Sequence, residues 1–83
     1  MNREDAEKLS QKTVQILKQK RIANGISKLE ISKITGMSRT AITLIENKKN
    51  SPTLRSLFML SSSLGINLED IIKEAKKESK INN

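Results

Sequence analysis

The 83-residue chain contains no cysteine and no histidine. Disulfides, thiolate chemistry, Cys/His zinc sites and a histidine base are thereby excluded together. Carboxylates and lysines remain, but nothing groups them into a site, so the chain does not read as an enzyme and needs no cofactor or metal. Aromatic residues are nearly absent, with Phe58 the single one. Readers of RNA or single strands that stack bases on aromatic platforms are therefore a poor match. No apolar run approaches the ~20 residues that cross a bilayer, and the opening Met1-Asn2-Arg3-Glu4-Asp5 is charged rather than signal-like. The expected location is the cytoplasm, away from membranes.

Acidic residues are the minority partner in charge, 9 against 16 basic, for a net +7. The excess is uneven. Residues 1–26 carry six basic and three acidic groups, residues 27–65 six and two, and residues 66–83 four of each. The positive field therefore belongs to residues 1–65, the central stretch and the segments beside it, the footprint a phosphate backbone requires.

Apolar residues are almost all aliphatic and recur at helical spacing, which predicts an all-α fold of five helices in one domain spanning 1–83. The first helix runs over 3–24, capped by Asn2 and stopped at Gly25, with Ala6, Leu9, Thr13, Ile16, Leu17 and Lys20 on one stripe. The second runs from Lys28 to Thr35 and the third from Arg39 to about Asn47. Ile31 and Ile34, with Ile42 and Ile45, form their inward faces. Pro52 suits a first helical turn, and either Ser51 or Thr53 can cap the fourth helix, which carries Leu54, Leu57, Phe58, Leu60 and Leu64 and ends at Gly65. Asn67 and Asp70 form a capping box for the fifth, with Ile66 as its staple. That helix frays over 76–83.

The centre is the most informative stretch. Ser27 and Glu30 make a capping box, Gly36 can take the left-handed conformation that ends a two-turn helix, and Ser38 caps the next one. Two short helices joined at a glycine form a helix-turn-helix, whose second helix is shaped to enter a DNA major groove.

From Arg21 to Ile71 the chain resembles the lambda-repressor/Cro-like helix-turn-helix family, through Arg21, Gly25, Ser27, Glu30, Ile31, Gly36, Ser38, Ile42, Glu46, Pro52, Leu54, Leu57, Leu64 and Gly65. The family-like core covers 14–75. Ser38-Arg-Thr followed by Ile42 and Ile45-Glu46 also looks like the controller proteins of restriction–modification systems, and phage repressors share it. Departures are Lys28 in place of glutamine, Leu29 of a polar residue, Ser32 of alanine, Lys20 of an aliphatic residue and Lys48 of the glycine usual after the third helix. The first helix also begins about three turns early.

The resemblance implies a transcriptional regulator that binds double-stranded DNA as a homodimer on a palindromic operator. It implies base reading by Arg39, Thr40, Thr43 and Leu44. Arginine suits the O6 and N7 of guanine, and Leu44 or the Thr43 methyl a thymine methyl. Phosphate contacts fall to Lys28, Ser38, Asn47, Lys48, Lys49 and Asn50, although lysines at a helix C-terminus are favoured by its dipole without any ligand. Leu68 and Ile71 should face the core, leaving Ile72 and Ala75 for a two-fold dimer interface. The alternative is an antitoxin-type protein that binds a toxin partner and represses its own operon.

Overall fold

A computed structural model describes residues 1–81. Five helices follow in order: α1 (Arg3–Ala23), α2 (Lys28–Thr35), α3 (Arg39–Glu46), α4 (Leu54–Ser63) and α5 (Leu68–Ser79). No strand occurs among the described residues.

Helix α1 starts because the Asn2 side chain accepts the Asp5 N–H at 2.8 Å, with Glu4 and Asp5 in the positively polarised first turn. Its 21 residues span about 32 Å at 1.5 Å per residue, nearly the 35 Å long dimension of the molecule. The early start, unexplained by the family core, has a structural account. Helix α1 lies along α5, with Lys12 pairing to Glu78 at 3.0 Å and Lys20 to Glu74 at 3.7 Å. These pairs are partly exposed and contribute little alone; the apolar contact between the helices is the larger effect.

One core holds the helices together. Val14, Ile16 and Leu17 of α1 meet Ile31 of α2, Ile42 and Ile45 of α3, Leu60 of α4, and Ile71 and Ala75 of α5. Thr13 is also buried, and its hydroxyl donates to the Leu9 carbonyl within the helix. Among the described residues no buried side-chain polar atom lacks a partner.

Several local expectations are corrected. Ala6 is exposed, while Val14 joins the core. Ile34 is 64% exposed rather than inward. A two-turn helix has one covered side, Ile31 occupies it, and Ile34 is rotated about 60° away at 100° per residue. Thr53 caps α4, accepting from the Ser56 N–H at 3.0 Å, so Pro52 precedes the cap instead of opening the helix. Leu54 and Phe58 of that helix are exposed. Asn67 makes no side-chain cap bond; its backbone carbonyl accepts from Asp70 and Ile71. Helix α5 continues to Ser79 instead of fraying at Lys76, since its second half packs on α1. The last two residues of the expected frayed tail, 82–83, lie outside the described residues.

Candidate nucleic-acid interface

The α2–turn–α3 unit is fixed locally at each junction. The Ser27 hydroxyl accepts from the Glu30 N–H at 3.1 Å, and the Glu30 carboxylate accepts from the Ser27 N–H at 3.2 Å. This is the reciprocal capping box. At the other end Gly36 takes φ 78, where a side chain would be strained. Thr35 ties the turn, donating to the Ile31 carbonyl and accepting from the Met37 N–H. The Ser38 hydroxyl accepts from the Ala41 N–H at 3.0 Å and so starts α3.

A buried ion pair sets where α3 sits on the rest of the molecule. Arg21 at the end of α1 donates from Nε to Glu46 Oε2 at 2.7 Å and from Nη2 to Oε1 at 2.9 Å, while Nη1 donates to the Ile26 carbonyl at 2.9 Å. The side chains are only 11% and 7% exposed. The bidentate fork and the third bond tie together the last turn of α1, the loop before α2 and the last residue of α3. Desolvation offsets much of the Coulomb attraction, so the pair is better understood as fixing an orientation than as surplus stability. Both residues belong to the family-like pattern of the sequence. Their 25-residue separation leaves no local signal that they meet.

The outward side of this unit is a shallow groove lined by Arg21, Ser27, Lys28, Leu29, Arg39, Thr40, Thr43 and Leu44. All four expected base readers are therefore together. Arg39 and Thr40 are exposed, Thr43 and Leu44 half-buried. Lys28 joins them: its Nζ donates to Thr43 Oγ1 at 3.0 Å, holding an ammonium group over the middle of α3. The Leu29 side chain is 45% exposed on the same rim, so the extended first helix does not cover it.

Asn47, Lys48, Lys49 and Asn50 lie at the opposite end of α3, all exposed. Lys48 adopts φ 62, so the turn keeps its left-handed form without glycine. The Lys48 N–H donates to the Ile45 carbonyl at 3.0 Å and the Lys49 N–H to that of Leu44 at 2.9 Å, the bond pattern of a Schellman motif. Lys48 and Asn50 also border Glu7, Ser10 and Gln11 of α1.

The expected dimer residues fare differently. Ile72 is half-buried, but Ala75 is 0% exposed and belongs to the core. Ala75 packs in the core with Val14, Ile16 and Leu17 of α1, so it offers no surface to a second copy.

A helix-turn-helix family model matches residues 17–71, which spans the last turns of α1 through the start of α5. The chain belongs to the lambda-repressor/Cro-type helix-turn-helix family. It is a DNA-binding regulatory protein with the five-helix fold of that family. Comparison with curated proteins and with solved structures gave no match. No described helix is long and apolar enough to cross a membrane.

Proposed function

We propose that the protein is a sequence-specific regulator of transcription that binds duplex DNA as a homodimer on a palindromic operator. The observation that carries this reading is the single groove that gathers Arg39, Thr40, Thr43 and Leu44 with Lys28, on a helix oriented by the Arg21–Glu46 pair. Helix α3 has eight residues, about 12 Å at 1.5 Å per residue, the width of the B-DNA major groove. Ser38 lies at its start, Lys28 reaches over its middle, and Asn47, Lys48, Lys49 and Asn50 lie past its end, so candidate phosphate contacts surround the reading face. Base edges supply the specificity, while the flanking groups set register and affinity. Occupancy of the operator is the mechanism, by blocking polymerase or by recruiting it.

Thr43 has a double part in this scheme. Its oxygen accepts from Lys28, which leaves its methyl for a thymine. An antitoxin-type role is the second reading, and exposed Leu29 favours it. A protein seated on Leu29 would share the groove with DNA, and the two would compete.

Selection of bound sites from random duplex DNA tests the proposal. The expected result is a two-fold symmetric consensus with half-sites about one helical turn, ~34 Å, apart, and a guanine preference lost in Arg39→Ala. Recovery of an unsymmetrical site would overturn the dimeric operator. Recovery of no consensus would overturn sequence-specific binding.

A further inference from the structure

Lys28 is the first residue of α2, yet its ammonium group lies over α3. Its Nζ donates to Thr43 Oγ1 at 3.0 Å, across 15 positions of sequence, and both residues are half-buried. Thr43 is one turn beyond Arg39 and shares its outward side. The cations lining the groove are Arg21, Lys28 and Arg39, and no carboxylate lines it. Arg21 is committed to Glu46, whereas Lys28 and Arg39 belong to no ion pair among the described residues. The Thr43 hydroxyl engages one of the three ammonium donors and brings no negative charge. Two N–H groups of Lys28 are left for other acceptors.

We propose that Lys28 reads a guanine edge from α2, and that Thr43 is the residue that positions it. The inference rests on the sequence-specific reading above and moves Lys28 from the phosphate contacts to the base readers. A helix in the major groove has a phosphate strand along each side and base edges against its middle. Lys48 and Lys49, past the end of α3, are placed for phosphates. An ammonium held over the middle of α3 is placed for bases. Guanine presents two acceptors there, O6 and N7, and the two free donors of Lys28 match both. Adenine puts its N6 donor beside N7 and opposes one of them. The methyl of Thr43 meets a thymine, so the two residues read a guanine and a neighbouring thymine as one unit. Anchoring on Thr43 also leaves Lys28 less rotamer freedom to lose on binding. From Arg39 to Thr43 is ~6 Å along α3, roughly two base steps of ~3.4 Å. This guanine is therefore distinct from the one assigned to Arg39.

The test is selection from random duplex DNA with the full chain and its variants, followed by anisotropy on the selected site, with circular dichroism to check that variants remain helical. Lys28→Met keeps the apolar stem and removes the donors. It should accept any base at one guanine position that Arg39→Ala still requires, and lose about tenfold on the parent's site. Lys28→Gln, whose amide matches N6 and N7 of adenine, should move the preference at that same pair towards adenine. Thr43→Val keeps a methyl and removes the acceptor, so the thymine preference should persist while discrimination at the guanine falls. If Lys28→Met returns the parent's consensus and weakens operator and random duplex equally, Lys28 is a phosphate contact and the proposal fails. Full guanine discrimination in Thr43→Val would overturn the positioning role of Thr43. A parent chain that selects no consensus at all would instead overturn the sequence-specific reading on which the inference rests.

Discussion

Helices α3 and α4 are nearly equal in length, eight and ten residues, and each is capped by a hydroxyl side chain. Both send branched aliphatics to the same core. They differ in what they leave outside. Helix α3 exposes Arg39 and Thr40; α4 exposes Leu54 and Phe58. The outward sides of equally well-folded helices carry the information about partners, because the inward sides answer only to packing. A polar, cationic side suits phosphates and base edges, whereas an apolar one gains from removal from water. The helices also differ in mounting, since α3 alone is tied to α1 by a buried ion pair.

The largest expected effect tests that mounting. Glu46→Ala leaves the Arg21 guanidinium buried without its carboxylate, and losing one partner of a buried pair destabilises by about 3–5 kcal/mol. Urea denaturation should show a much lower midpoint, and operator affinity should fall even where the variant remains folded. A midpoint unchanged within about 0.5 kcal/mol would mean that α3 is positioned by the apolar core alone.

The next effect separates reading from mounting. Arg39 is exposed and makes no side-chain bond within the described structure. Arg39→Ala should therefore keep the denaturation midpoint while losing roughly 1–3 kcal/mol on the selected operator and much less on unrelated duplex. Equal losses on both DNAs, measured by fluorescence anisotropy, would make Arg39 a phosphate contact and blur the distinction between the two ends of α3.

Much of this was legible in the sequence where the signal is local. The five helices, the Ser27/Glu30 box, the Gly36 turn and the Ser38 cap all depend on residues within four positions of each other, and each is found. The groove residues are legible for the same reason: one α-helical turn places Arg39, Thr40, Thr43 and Leu44 on one side. Long-range relations were not legible. Nothing near Arg21 announces Glu46, and nothing near Lys28 announces Thr43, 15 positions away. Periodicity also cannot say which neighbour covers an apolar side chain. Ile34 was expected to face inward because it is apolar at helical spacing, yet the structure leaves it out. Ala75 erred in the opposite direction, because its spacing on α5 does not show that α1 packs against it.

The smallest expected effect concerns the turn that ends α3, and it uses Lys48 to separate charge from conformation. Lys48 holds φ 62, a left-handed geometry that a residue with a Cβ adopts at a penalty of about 1–2 kcal/mol. Glycine would relieve it, although part of the gain is offset by the greater freedom of glycine in the unfolded chain. Lys48→Gly should thus raise stability by about 1 kcal/mol, whereas Lys48→Ala keeps the strained geometry and should change it little. On DNA the two variants should behave alike. Each removes one positive group, and if that group meets a phosphate the slope of log affinity against log salt becomes shallower by about one. Lys48→Ala combined with Lys49→Ala should double that change and weaken operator and random duplex equally. A salt slope unmoved in all three variants would leave these lysines as partners of the helix dipole only. An unmoved stability in Lys48→Gly would mean that the left-handed residue is not under strain. The pair of measurements tests whether a position where the family favours glycine has traded about 1 kcal/mol of backbone strain for a cation beside the recognition helix.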